Sequence, residues 1–493
     1  MDVINIKSDK KSKKNVILLV VAVLFLIIAL GGIYFGWKIH AVSKRINISN
    51  STGVSFTDNV QAVASLVVPS SRQVLKGEEE GRINVLLLGT AGENQPGKNL
   101  TDTIMIMSIN TASKKVALLS LPRDLYVSAL GKSCATRINE VYHCGLLHGE
   151  GVDPIKSVVE EITGIPIHYF LALDFEGFKK IIDDIGGINI MVERDIYDPR
   201  YPGPNYSYET FEIKKGLHHI DGATALKYAR ERHADPEGDF GRARRQQQII
   251  QAFKNKVFSL QTFLNVFKLN SLLNTLEKNI KTNVSLEKIE SFIHLSKQVD
   301  SQNVTNIVVD AWKKDSLLKV SHLQRGDLRV FILIPRVGNF SEIQELAQNI
   351  FDVEKIRERW AEIEKEKASI AIINQSSDKN LAVKIQNLLR EKLKLTDVKL
   401  ITSRSTISRD NTIIIDNTSG KKLFSLDELI KKLPATLGKE RNDIISVSTD
   451  SDFVILLGKD LEKTYAFEED SIEEFNKASE DQEYFLNNQQ TKY

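Results

Sequence analysis

The sequence predicts an α/β protein. It has a mixed central sheet flanked by helices, a small α/β C-terminal domain, and one N-terminal transmembrane helix. Three observations predict this. Residues Val16 to Trp37 carry no charge and are rich in Leu, Ile and Val, enough for one bilayer crossing at about 1.5 Å per residue. From Arg82 to Phe340, short apolar runs stopped by glycine or proline alternate with longer helical patterns. The same alternation resumes on a smaller scale between Ser369 and Leu461. A length of 493 residues fits two or three domains.

In chain order, residues 1–15 form a basic stub, with Lys7, Lys10, Lys11, Lys13 and Lys14 against Asp2 and Asp9. The positive-inside rule puts this stub in the cytoplasm and everything after Lys38 outside. Tyr34, Phe35 and Trp37 close the 16–37 span with residues suited to a membrane interface. No small-x-small site follows, so an uncleaved anchor is favoured over a signal peptide. Residues 38–80 are polar and read as a juxtamembrane stalk. The 81–340 domain opens with strand-like Asn84–Gly89, Ile104–Ile109 and Val116–Leu121, the last stopped by Pro122. Helical patterns at Ile155–Ile162 and Phe175–Ile185 follow, and after Gly186-Gly187 comes another strand, Ile188–Val192.

Over 341–367 the chain predicts one amphipathic linker helix, with Ile343, Leu346, Ile350, Val353, Ile356, Trp360 and Ile363 as its stripe. Ser341 and Gln344 have the spacing of a capping box. The 368–462 unit alternates strand-like Ile370–Ile373, Val398–Thr402, Thr412–Ile415 and Phe453–Leu457 with helical Leu381–Leu393 and Leu426–Leu433. Residues 463–493 are acidic and polar and predict a solvated, disordered tail.

Lys+Arg total 66 and Asp+Glu 64, a net charge of +2. That balance argues against nonspecific nucleic-acid binding, so any basic site is local. Cys134 and Cys144, the two cysteines of the chain, make a candidate disulfide outside the cell. Two free thiols are the alternative, and spacing does not choose between them.

Three clusters concentrate arginine and aspartate at strand ends and loops. The first is Thr101-Asp102-Thr103, directly before a strand. The second is Pro122-Arg123-Asp124, directly after one. The third runs from Tyr228 through Arg230, Arg232 and Asp239 to Arg242, Arg245 and Gln246. Arg230 and Arg232 alternate, so an extended segment shows both on one side. Arg242, Arg245 and Gln246 fall on one helix face at three- and four-residue steps. Arginines gathered this way suit phosphate oxygens. Asp102 and Asp239 would repel a phosphate unless a divalent cation lies between them, the usual Mg²⁺ setting. Each piece alone is ordinary loop or helix-surface chemistry.

Taken together, the order of these motifs resembles the LytR–CpsA–Psr family of cell-envelope proteins over Arg82 to Phe340. The resemblance rests on Asn84–Gly89, Thr101-Asp102-Thr103, Ser120-Leu-Pro-Arg123-Asp124, Ile138-Asn139, Gly186-Gly187, Ala225–Arg232 and Asp239–Gln246. The 368–462 unit looks like the LytR C-terminal domain, although it lacks that domain's usual glycine before Leu381-Ala382. The resemblance implies a membrane-anchored, extracytoplasmic transferase in a bacterial cell membrane. Such an enzyme moves a glycosyl phosphate from a polyprenyl pyrophosphate carrier to a peptidoglycan hydroxyl. It implies that Arg123, Arg230, Arg232, Arg242 and Gln246 hold the pyrophosphate. Asp102 and Asp239 would bind Mg²⁺ (or Mn²⁺), and one of them would take the acceptor proton. Asp102, Arg123 and Asp239 are thus the implied catalytic residues. The carrier's alkyl chain would lie in an apolar tunnel lined by 170–178 and 181–190.

This chain departs from the family pattern in two places. An aspartate usually follows the first strand's glycine, and here the stretch reads Gly89-Thr90-Ala91-Gly92-Glu93. An arginine often precedes Thr101, and here Lys98 takes that region. Two other activities fit the same residues: a pyrophosphatase with water as acceptor, and a non-catalytic scaffold that binds lipid or glycan.

Overall fold

The structure is a computed structural model. It describes residues 73–92, 97, 99–128, 135–203, 207–257, 280–299, 304–312, 316–326, 328–402, 408–438 and 450–475. The predicted stub 1–15, the span 16–37 and most of the 38–80 stalk lie outside the described residues, as do Glu93, Lys98 and Cys134. No helix among the described residues is long and apolar enough to cross a membrane.

The first unit begins with β1 (Arg82–Thr90), β2 (Thr101–Asn110) and β3 (Val116–Leu121), then α1 (Ile138–Leu147), α2 (Asp153–Thr163), β4 (Tyr169–Asp174) and α3 (Phe175–Asp184). Two antiparallel ribbons follow: β5 (Ile188–Val192) pairs with β8 (Gly216–Ile220), and β6 (Ile196–Pro202) with β7 (Tyr208–Ile213). After them come α4 (Gly222–Arg230), α5 (Gly238–Val257), β9 (Ile280–Thr282), α6 (Leu286–Gln298) and β10 (Thr305–Val308).

Six strands make one mixed sheet in the order β10-β3-β2-β1-β4-β9. β1 pairs with β4 and β3 with β10 in parallel, and the remaining pairs are antiparallel. Strand alternation sets the layers. Leu86 and Leu88 face a core with Val141 of α1 and Val158 of α2. Ile83 and Val85 face the other way, toward Leu295 of α6. A third cluster gathers Ile182, Ile185, Ile188 and Ile190 with Tyr228 and Ile249. The predicted Gly186-Gly187 break is a left-handed turn with φ of 80° and 75°. A Cβ at Gly187 would sit 2.7 Å from both His219 Nε2 and Ile220 O, so only glycine fits.

A hairpin of β11 (Leu318–Arg325) and β12 (Leu328–Pro335) closes this unit. The predicted single linker helix is two helices, α7 (Ser341–Gln348) and α8 (Glu354–Glu366). The break falls at 349–352, where Asn349 caps the first helix and Asp352 N makes a turn bond to Asn349 O (2.8 Å). The two halves bury toward different cores: Ile343, Ala347 and Ile350 into the first, Ile363 and Trp360 into the second. The predicted capping box does not form. Phe340 is the N-cap, and the Asn339 side chain accepts Ser341 N–H instead (3.0 Å).

In the second unit, β13 (Ile370–Asn374), α9 (Leu381–Glu391), β14 (Val398–Leu400), β15 (Ile413–Asp416), α10 (Leu423–Lys432), β16 (Thr436–Leu437) and β17 (Phe453–Leu457) build a five-stranded sheet in the order β14-β13-β17-β15-β16. Contrary to the disordered tail predicted from 463, residues up to 475 are packed. Tyr465 OH donates to Val337 O (2.8 Å), and Phe475 is buried in the first unit's core.

Candidate active site

One edge of the six-stranded sheet collects the predicted residues. Thr90 pairs with Thr101 on one side and Asp174 on the other, and Leu121 pairs with Ile104. The carboxyl ends of β1, β3 and β4 and the start of β2 therefore lie together, the usual place for a ligand in such sheets. Along β1–β2 the register passes from Gly89–Thr103 to Thr90–Thr101, so Asp102 is the extra residue of a bulge. Bulges re-aim side chains beside functional sites. The Asp102 carboxylate, one-third exposed, accepts from Arg123 Nη1 at 2.8 Å.

Arg123 sits in a tightly held loop. Its neighbour Asp124, buried, accepts from Arg137 Nη1 at 2.8 Å and lies 3.4 Å from Arg123 Nε. Leu333 of β12 grips the loop through two backbone bonds, Leu333 N to Asp124 O (2.9 Å) and Tyr126 N to Leu333 O (2.8 Å). Asn139 N donates to Arg123 O (3.2 Å), tying the start of α1 to the same loop. The guanidinium is thus held in place between two carboxylates, and a planar fork of donors is a group that suits carboxylate or phosphate oxygens.

The third cluster reaches the same edge. Gln247 of α5 donates to Ser120 Oγ (2.9 Å) and Ile307 O (3.1 Å), seating the middle of the helix on β3 and β10. Arg242, buried, reaches Asp102 O at 3.5 Å. Arg230, the last residue of α4, stacks over Phe175, the first of α3, at 4.8 Å, and over Tyr201 at 5.8 Å. Arg232 is buried in the loop that follows. The structure thus brings together Asp102, Arg123 and Arg242, with Arg230 beside them at the end of β4. Asp239 lies in the first turn of α5; its side chain is outside the described residues.

The predicted shared face of Arg242, Arg245 and Gln246 divides. Arg245 is buried and serves the loop itself: Nε donates to Tyr228 O (3.0 Å), and its guanidinium also reaches Asp235 and Glu231 O. Gln246 Nε2 donates to Ala229 O (3.3 Å). Asp235, which also meets Arg194, is the counter-ion at the centre of this loop. Its position inside the arginine cluster was the available signal. Phe175 gave none, since nothing local marks it as the platform for an arginine.

Behind this strip lies a buried acid pair. Asp198 and Glu231 are both nearly fully buried. Burial first, and then the Asp198 charge, push the Glu231 carboxyl up. A proton on Glu231 turns a repulsion into a hydrogen bond. Asp198 also takes His233 Nδ1 at 3.0 Å. Tyr201, whose hydroxyl is pushed up to about 12 chiefly by burial, borders the same group.

The described residues contain no group of three or more His, Cys, Asp or Glu able to hold a metal. They offer no protein-only cage. Mg²⁺ bound through one or two carboxylates and substrate phosphates needs none, and Asp102 at the rim fits that mode. Cys144 is disulfide-bonded. Of the residues expected to line an apolar tunnel, Phe170 is buried in the first core cluster, and Ile182, Ile185, Ile188 and Ile190 in the third. A cavity of about 810 Å³ lies at the other end of α3, lined by polar residues such as Asp183, His218, His219 and Asp221.

The model of the LytR_cpsA_psr family matches residues 45–324, more than half of the chain. The chain belongs to the LytR_cpsA_psr family. Family relatives include a polyisoprenyl-teichoic acid–peptidoglycan teichoic acid transferase TagU of Bacillus mycoides, 28% identical over 277 residues, which cover 56% of this chain and 82% of that one. A TagU of Bacillus anthracis is 30% identical over 50% of this chain and 72% of its own. The regulatory protein MsrR of Staphylococcus aureus is 35% identical over 39% of this chain and 54% of its own length. Among solved structures, B. subtilis TagV is 25% identical, covering 54% of this chain and 96% of that one, with a TM-score of 0.42. The family match ends before the second sheet.

Proposed function

We propose that this chain is a membrane-anchored, extracytoplasmic phosphotransferase that moves a glycosyl phosphate from a polyprenyl pyrophosphate carrier to a hydroxyl of peptidoglycan. The observation that carries the reading is the Arg123–Asp102 pair on a bulged sheet edge, with Arg242 and Arg230 beside it. Names given to the two TagU relatives supply the substrate class. The basic stub and the apolar run 16–37 support the anchoring. The second unit is proposed as a LytR C-terminal-like domain on the pattern of its strands and helices.

The geometry suits attack at phosphorus, which needs charge neutralisation and positioning more than covalent help. The pyrophosphate takes the Arg123 fork, with Arg230, Arg232, Arg242 and Gln246 around it. Taking Arg123 from Asp102 frees that carboxylate to face the acceptor hydroxyl. The acceptor oxygen bonds to the sugar-side phosphorus, and the bond from that phosphorus to the bridging oxygen breaks. Polyprenyl phosphate leaves, and the hydroxyl proton passes to Asp102 or Asp239. Mg²⁺ arriving with the substrate, held by Asp102 and Asp239, would supply further charge neutralisation.

The test supplies full-length protein in detergent with a polyprenyl-pyrophosphate glycan and peptidoglycan fragments. The expected product is a phosphodiester-linked adduct together with polyprenyl phosphate. Cleavage of the carrier without an adduct indicates a pyrophosphatase, and binding without cleavage a scaffold; either result overturns the proposal.

A further inference from the structure

The segment that follows the second sheet returns to the first unit and lies along its hairpin. Asp470 N donates to Val320 O (2.9 Å), Ser321 Oγ to Glu468 O (2.6 Å), and Lys319 Nζ to Phe467 O (2.9 Å). Its acids meet the hairpin's cations. Asp470 takes His322 Nδ1 (2.7 Å) and Arg329, Glu474 takes Arg329 Nη1 (3.0 Å), and Glu469 takes Arg336 Nη1 (2.6 Å). Two aromatic residues fasten it. Phe475 is buried with its ring 6.4 Å from Phe331 of β12. Phe467 meets the Tyr126 ring edge-on at 5.6 Å.

Both fastenings lead to the Arg123 loop. Tyr126 is three residues beyond Arg123, and its N–H is one of the two bonds that Leu333 makes to that loop. Leu333 lies on β12, which the strap grips through Phe475, Arg329 and, just past the strand, Arg336. The arginine therefore rests on a continuous series of contacts that ends in residues 465–475. A fork aimed at phosphate loses most of its value when displaced by about an ångström.

We infer that residues 465–475 are a strap that holds Arg123 in its working position, with Phe467 as a positioning residue. The inference rests on Arg123 being a headgroup contact. A strap that merely added stability would leave headgroup affinity unchanged once the chain had folded.

Full-length F467A tests it with two measurements. In hydrogen exchange, the Tyr126 amide is expected to exchange at least about tenfold faster, while amides of β1 and β13 keep the parent's rates. Affinity for farnesyl pyrophosphate, a short lipid–pyrophosphate probe, is expected to fall about tenfold, and F467W to restore it. Unchanged Tyr126 exchange, or faster exchange with parental affinity, overturns the strap's positioning role. If the parent itself fails to bind the probe, the pyrophosphate reading of the site fails, while the exchange result still decides whether the strap holds the loop. Should F467A not fold, D470N gives the same test. It removes the charge partner of Arg329 and His322 and keeps the backbone bond to Val320.

Discussion

Arg123 and Asp102 hold each other at 2.8 Å on a partly exposed rim. R123A removes the fork and is expected to lower kcat/KM for glycan transfer by roughly a hundredfold or more, as losing one donor to transition-state charge does. R123K keeps the charge without the planar pair of donors, so its rate falls between the two. Steady-state kinetics on all three proteins checks the order. Glu231 gives a prediction in pH. Its carboxyl is raised in the folded protein, chiefly by burial and then by Asp198. Between the ordinary glutamate value and that raised value, the folded state binds more protons than the unfolded one. Stability therefore falls as pH rises through that window. E231Q donates to Asp198 without titrating and is expected to flatten this slope. Urea midpoints at about pH 5 and about pH 8 compare the two proteins, and parallel slopes would contradict the assignment.

The elements were legible where their signal was local. β1, β2, β3, β5, β13 and β17 are short apolar runs with stops, and the structure places each within a few residues of its predicted bounds. The Gly186-Gly187 break became a left-handed turn. G187A is expected to cost about 2 kcal/mol from backbone strain and contact with His219 and Ile220, measurable by urea unfolding. What was not legible depended on distant partners. The bulge at Asp102 is a matter of pairing register, which one strand's sequence does not contain. Asp124 was readable as part of a motif, but its bridge between Arg123 and Arg137 needs α1 to be in place. The linker stripe ran unbroken because Ile350 and Trp360 are both apolar; that they face separate cores is a tertiary fact. An acidic composition read as solvated up to 475 because His322, Arg329 and Arg336, which neutralise it, lie more than a hundred residues earlier.

At the scale of the molecule, the two sheets are joined twice, by α7–α8 going out and by residues 463–475 coming back. Phe475 belongs to the core that contains Leu86 and Val158. F475A is expected to cost the first unit about 3 kcal/mol. It should also split a single calorimetric transition into two, with the second unit's midpoint unchanged. One transition in both proteins would argue against this coupling.

The return of the strap also sets an order of events in time. A chain made from its N-terminus delivers Arg123 long before Phe467 and Phe475. The arginine loop stays without its last brace until residues 465–475 have been made. A chain interrupted before residue 467 would thus fold its first sheet with the arginine grip unfinished.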